Sequence, residues 1–247
     1  MHININLTNQ PSETLLPPSG AVCHDPVTGK TLAPESEPQT KRHLYFAYGS
    51  NLSPSQMKQR CTINPALSCN PVAIATLSKW RWLICEAGYA NVLPPPGMRV
   101  GPQDSDIAHK VPVSGKIDAV YGVLYEMDPD DEFILDGYEG VDHQADEADG
   151  AKVPIEVRPK EQGEGDYNKW YFPAEVVKWI GDDDHPLKME RGELVPTLVY
   201  VDEERVILAP PKAEYIPRMN RAIRECEALG VPGHWLEEVL RKFIPKE

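Results

Sequence analysis

Two short stretches hold the residues best suited to chemistry. In the first, Leu44, Tyr45, Phe46, Ala47 and Tyr48 form an apolar and aromatic run that breaks at Gly49 and continues into Ser50, Asn51 and Leu52. Ser53, Pro54 and Gln56 then have the spacing of a Ser-x-x-Gln capping box, with proline at the first helical position. A buried strand, a tight turn and a helix start leave backbone N–H groups around Gly49 to Leu52 without partners. Such groups attract a carboxylate or a developing oxyanion. An ordinary strand-to-helix turn has the same pattern. In the second stretch, Glu139 follows Leu135 and Tyr138 and precedes Val141. Placed just beyond a helix end among apolar neighbours, a carboxyl group is desolvated, and its pKa rises toward the range useful for proton transfer. Read alone, Glu139 is one of 38 acidic residues, and an exposed loop acid is the plainer reading.

The wording of the two stretches changes that balance. FAYGSNL, Phe46 to Leu52, and LDGYEG, Leu135 to Gly140, resemble in order the two signature motifs of the γ-glutamylcyclotransferase family. The resemblance implies an enzyme that cyclises γ-glutamyl amino acids or conjugates, releasing 5-oxoproline and the free amine, with no metal and no cofactor. It makes Glu139 the catalytic residue and lines the γ-glutamyl site with Tyr45, Phe46, Ala47, Tyr48, Gly49 and Ser50. The donors of the turn add Asn51. A tyrosine opening the family's late helix contacts ligand, and Tyr215 holds the comparable place, although Ala222 stands where the family often has glycine. Whether the turn would hold the α-carboxylate or the oxyanion stays open. Ser50-Asn51-Leu52 favours the general branch. A cyclotransferase directed at glutathione or its conjugates, in detoxification or secondary metabolism, is one rival, and one acting on a γ-glutamylamine is another. A non-catalytic γ-glutamyl-binding protein is the rival from a different class. The implied fold is a small mixed β-barrel flanked by short helices, with the pocket at one mouth, and family members are often homodimers.

The elements that must position these residues follow from patterning. Pro71 to Glu86 reads as one long, bulged strand on which Trp80 and Trp82 share a core-packed face. Ala90 to Leu93 is a short strand stopped by three prolines, and the resemblance sets it near the pocket. Ala119 to Met127 is the cleanest strand. Asp128 then caps a helix with Pro129 at its first position, Phe133, Ile134 and Leu135 packed inward, and Gly137 at its end. Val153 to Arg158, Trp170 to Trp179 and Leu194 to Val201 read as strands. Gly97 to Lys116 and Pro159 to Lys169 read as loops. After Pro210 and Pro211 comes a helix with Ile216, Met219, Ile223 and Cys226 on one face, closed by Gly230, and Pro232 opens another with Trp235, Leu236, Val239, Leu240 and Phe243 inward. Strands with a few helices make an α+β fold.

Bulk properties restrict the partners. A formal charge of −13 over 247 residues argues against nucleic acid and anionic membrane as partners, and does not by itself identify a substrate, because an acidic shell also serves solubility. Five cysteines without a Cys-x-x-Cys pair argue against a disulfide framework or a zinc site. Asp182, Asp183, Asp184 and His185 read as a solvated turn rather than a cation site. With no signal-peptide pattern and no bilayer-length apolar run, the expected compartment is the cytoplasm. Residues 1–41 are polar and proline-dotted, an extension expected to be flexible or draped, before a domain over 42–247.

Overall fold

The computed structural model describes residues 43–95, 98, 111–145, 157, 162–163 and 166–247, all within the unit Lys41–Glu247. The extension expected over residues 1–41 lies outside the described residues. So does the strand expected over Val153 to Arg158, apart from Val157, and most of the loop from Gly97 to Lys116.

Five strands close a mixed barrel: β1 (His43–Ala47), β5 (Ala119–Met127), β2 (Pro71–Ser78), β8 (Asn168–Trp179) and β9 (Leu194–Val201), in that order around the wall. β1 runs antiparallel to β5, with Tyr45 opposite Tyr125 and Ala47 opposite Val123. It closes the ring by parallel pairing to β9, Leu44 opposite Thr197. Closure is possible because β2 bulges on both sides, at Pro71–Ala73 against β5 and at Ile74–Ala75 against β8, and bulges increase bend and twist. All nine residues of β5 are buried, including Glu126, the one charged residue in an otherwise largely apolar strand.

The stretch expected as one strand from Pro71 to Glu86 is two. Lys79 turns the chain in the left-handed region at φ 64°, donating its N–H to the Asp118 carbonyl. β3 (Arg81–Ile84) then leaves the barrel to form a separate hairpin with β4 (Ala90–Leu93). Both tryptophans are core residues. Trp80 packs edge-on to Trp170 and Phe172, whereas Trp82 donates its indole N–H to the Tyr48 carbonyl, 3.0 Å away, pinning the hairpin to the end of β1.

α1 (Pro54–Arg60) starts as the sequence predicts: Ser53 Oγ accepts the Gln56 N–H at 3.0 Å, and Pro54 is the first helical residue. The reciprocal half of the capping box is replaced, because the Gln56 side chain accepts from Arg221. After the short α2 (Pro65–Ser68), α3 (Pro129–Glu139) is capped by Asp128. It runs past Gly137 and ends at Gly140, whose φ of 69° is the left-handed angle a helix stop requires. Phe133, expected inside, is 65 % exposed and stacks on His143, while Leu135 is buried and Ile134 half-buried. β6 (Val141–Asp142) and β7 (Gln162–Gly163) pair beyond it. α4 (Tyr215–Leu229) buries Met219, Ile223 and Cys226, and Gly230 caps it. α5 (Gly233–Glu238) is followed by a 3-10 turn, Leu240–Lys242, so the last apolar face is built from two pieces.

Candidate active site

Where β1 ends, the backbone enters a 3-10 turn, Ser50–Leu52, before α1. Gly49 has φ −110°, so its glycine is explained by space rather than by a left-handed angle. A Cβ there would lie 3.0 Å from the Tyr215 hydroxyl and 3.3 Å from the Ala90 side chain. The turn uses part of its own donors: Leu52 N–H goes to the Gly49 carbonyl and Ser53 N–H to that of Ser50. Ser50 N–H donates to Tyr215 Oη at 3.2 Å. Gly49 and Asn51 N–H make no hydrogen bond among the described residues.

This turn, the C-terminal end of α3 and the N-terminal end of α4 enclose a cavity of about 390 Å³, at the small end of the range for ligand sites. Glu139 is the last residue of α3, inside the helix rather than beyond its end as the sequence suggests, and its side chain is 14 % exposed. Its Oε1 accepts from Arg60 Nη1 at 2.8 Å and from Asn51 Nδ2 at 3.4 Å. Asn51 Nδ2 also donates to Tyr45 Oη at 2.9 Å, while Asn51 Oδ1 is buried with no partner among the described residues. Burial pushes the Glu139 carboxyl above the usual glutamate range. The opposing pull of Arg60, Arg218 and the Asn51 amide reduces the shift without cancelling it.

Of the residues expected at the site, Tyr45, Tyr48, Gly49, Ser50, Asn51, Glu139 and Tyr215 line the cavity together. Phe46 and Ala47 do not; they are fully buried in the barrel core, Phe46 against Gly122 of β5. Tyr48 turns its hydroxyl to the Tyr200 carbonyl at 2.6 Å, serving as a strut between β1 and β9. Ala90 of the short hairpin strand does line the cavity, and its carbonyl accepts from Tyr167 Oη at 2.7 Å. Burial raises the hydroxyl pKa of Tyr45, Tyr48, Tyr167 and Tyr200, and that of Tyr215 to about 12, so this wall is polar and uncharged.

Sequence reasoning missed the cations. Among the described residues, Arg60, Arg205, Lys212 and Arg218 line the cavity against two carboxylates, Glu139 and Asp166, although the whole chain is strongly acidic. Arg218 Nη2 donates to Ser50 Oγ at 2.9 Å, with its guanidinium over the Tyr215 ring at 5.2 Å. Its position three residues after Tyr215 on the same helix was the available signal. Arg205 is already neutralised by Asp166 and Asp202.

Behind α3, Lys169 is buried with Nζ 2.5 Å from Glu132 Oε1 and 3.0 Å from Asp136 Oδ2. Asp136 Oδ1 accepts from Tyr200 Oη at 2.5 Å, and Tyr200 packs edge-on to Tyr45. His43 and His143 flank the two carboxylates at 3.0 and 3.1 Å. The helix carrying Glu139 is thus anchored in the barrel wall by charge as well as by Leu135.

Among the described residues no group of three or more His, Cys, Asp or Glu side chains could hold a metal ion, and no helix is long and apolar enough to cross a membrane. His185 of the acidic loop instead faces buried Glu126 at 3.2 Å.

The architecture is a closed five-stranded mixed barrel with a few helices, and its cavity is bounded by the turn, α3 and α4. No family model matches the chain, and no curated protein matches it in sequence. Among solved structures it is similar to an uncharacterized protein from Homo sapiens, at 17% identity and TM-score 0.50, over 84% of this chain and 90% of that one. It is also similar to a γ-glutamyl cyclotransferase, at 18% identity and TM-score 0.49, over 84% and 90%. A γ-glutamyl cyclotransferase specific to glutathione, from yeast, matches at 12% identity and TM-score 0.40, over 82% and 99%. At these identities the likeness is one of fold.

Proposed function

We propose that this chain is a γ-glutamylcyclotransferase, cyclising γ-glutamyl amino acids or related γ-glutamyl conjugates to 5-oxoproline and the free amine. The observation that carries the reading is convergence: Glu139 and the Gly49–Asn51 turn, 88 residues apart at Asn51, meet on one cavity, joined by the Asn51 side chain. In the reaction, Glu139 takes a proton from the substrate's α-ammonium. The freed amine attacks the γ-carbonyl carbon, closing a five-membered ring and placing negative charge on the carbonyl oxygen. Glu139 then returns the proton to the departing nitrogen as the original amide C–N bond breaks, and the second proton still carried by the ring nitrogen passes to the freed amine, leaving a neutral lactam and an ammonium. Proton transfer of this kind is worth roughly 10²–10⁴-fold, and intramolecular attack asks otherwise only for positioning.

The rest of the wall suits the substrate's other groups. The N–H groups of Gly49 and Asn51, with Arg218 beside Ser50, offer donors to the α-carboxylate or to the oxyanion. Buried Asn51 Oδ1 offers an acceptor to a substrate N–H. Tyr215 shapes the turn by capping Ser50 N–H.

The deciding experiment measures 5-oxoproline release from γ-glutamyl-alanine, γ-glutamyl-cysteine, glutathione, a glutathione S-conjugate and ε-(γ-glutamyl)lysine, with the native protein and with Glu139→Gln. Turnover by the native protein alone supports the reading, and the preferred substrate identifies the branch. Turnover that survives the substitution refutes Glu139 as the base. A second reading, a γ-glutamyl-binding protein without turnover, is favoured by the arginine held 2.8 Å from the proposed base. Binding with no product from any substrate would establish it.

A further inference from the structure

Resting on that reading, the two oxygens of Glu139 divide its work. Both of its hydrogen bonds, from Arg60 and from Asn51, fall on Oε1; no donor among the described residues reaches Oε2. Arg60 is the last residue of α1, so its position follows from the helix that the Ser53 cap starts. Its guanidinium lies over the Tyr138 ring at 4.8 Å, and its side chain is 13 % exposed. Tyr138 and Glu139 are consecutive on α3, so one guanidinium is braced by a ring face and by the neighbouring carboxylate. A planar fork held on two sides can hold a carboxylate in one rotamer, as a flexible ammonium does not.

We propose that Arg60 is a positioning residue for the base: it occupies Oε1 and keeps the carboxylate ionised, so that Oε2 alone takes the proton from the substrate amine and returns it to the leaving nitrogen. A partly buried carboxylate without a partner would protonate and lose its function as a base. The other groups facing Glu139 do not duplicate Arg60. Arg218 acts on it from α4 by charge without a direct bond, and Tyr45, Tyr48, Tyr167, Tyr200 and Tyr215 surround it as neutral phenols. The Asn51 amide is the one further donor to Oε1, and it carries no charge.

The test uses carboxyl ¹³C NMR on protein labelled at glutamate, the Glu139 signal being assigned by its loss in Glu139→Gln. Native protein, Arg60→Met and Arg60→Lys are titrated without substrate. In Arg60→Met the Glu139 midpoint should move to higher pH by roughly one to three pH units, the usual effect of removing an adjacent cation. In Arg60→Lys, which keeps charge but not the fork, the midpoint should return close to native. Identical midpoints in native protein and Arg60→Met overturn the proposal.

Kinetics on a turned-over substrate supply the second readout. Arg60→Met should lose about 100-fold in kcat with KM changed little, and its acid limb should follow the NMR midpoint. A rise in KM with kcat intact would make Arg60 a substrate anchor and refute the positioning role. Native protein that forms no 5-oxoproline would refute the proposed function, while the titration would still decide the role of Arg60.

Discussion

Replacing Lys169 with methionine tests whether charge anchors the helix that carries Glu139. Lys169 is 5 % exposed, and its ammonium lies 2.5 and 3.0 Å from two carboxylates that are also buried. Methionine keeps the volume but leaves Glu132 and Asp136 with no cation between them. Breaking a buried pair from one side costs about 3–5 kcal/mol. Taking about 4 kcal/mol, and about 2–4 °C per kcal/mol for a chain of this size, the melting temperature near pH 7.5 should fall by about 8–16 °C.

The sign of the pH dependence follows from each group. Burial works against the Glu132 charge, but His43 and Lys169 outweigh it and hold its pKa low. Its stabilising contribution is therefore present above the unfolded value and lost as pH falls through the folded one. Burial also opposes the Lys169 charge, yet Glu132 and Asp136 raise its pKa, so its contribution persists until pH rises through that raised value. In the variant the two carboxylates protonate readily as pH falls, which relieves their burial. The deficit should be largest near neutrality and should shrink toward pH 4.5, and adding Asp136→Asn should recover part of it. Thermal unfolding followed by circular dichroism is the assay. A neutral-pH deficit below about 2 °C, or one that does not shrink on acidification, would refute the argument.

Other outcomes are expected. The acid limb of kcat/KM should fall at a pH above that of an ordinary glutamate, because burial raises the Glu139 carboxyl and only its ionised form can accept the substrate proton. A limb near pH 4.3, about the value of a free glutamate, would contradict this. Tyr215→Phe removes the acceptor of Ser50 N–H and should weaken kcat/KM by about fivefold, the worth of one hydrogen bond of about 1 kcal/mol, with a fall of about 2–4 °C in melting temperature. Gly122→Ala should destabilise by about 2–3 kcal/mol, measured by denaturant unfolding, because the new Cβ would fall 2.5 Å from Phe46 Cε1 and 2.8 Å from the Ala47 carbonyl. Gly137→Ala should do the opposite: it is helical with nothing near a new Cβ, so about 0.5–1 kcal/mol of stabilisation is expected in the same assay.

The parts legible in the sequence are those written locally. The aromatic run of β1, the Ser53 cap and the largely apolar run of β5 each have a nearest-neighbour cause, and each appears at or near its expected place. The misplaced features depend on distant partners. Lys79 turns because the Asp118 carbonyl receives its N–H, which no pattern in Pro71 to Glu86 records. Gly137 and Gly140 are equally plausible stops by residue type, and the choice of Gly140 follows from the helix continuing through Glu139. Phe133 lies on the outer face of α3 because Asp131, Glu132 and Asp136 are buried instead. Asp131 accepts from the backbone N–H groups of Ile63 and Asn64, and the other two meet Lys169. An acidic helix whose acids point inward reverses the ordinary polarity rule. The pairing of Arg60 with Glu139 likewise exists only once α1 and α3 are side by side.

The tyrosine wall makes the cavity optically addressable. Tyr45, Tyr48, Tyr167, Tyr200 and Tyr215 are five of the ten tyrosines in the chain, and burial holds every one of their hydroxyls above its ordinary range. An alkaline titration followed at the tyrosinate band should therefore find these five phenols ionising late. A molecule entering the cavity displaces water from these rings and shifts their near-ultraviolet absorption without any change in their charge. Occupancy can thus be followed with unlabelled ligand and unlabelled protein, before any turnover has been detected.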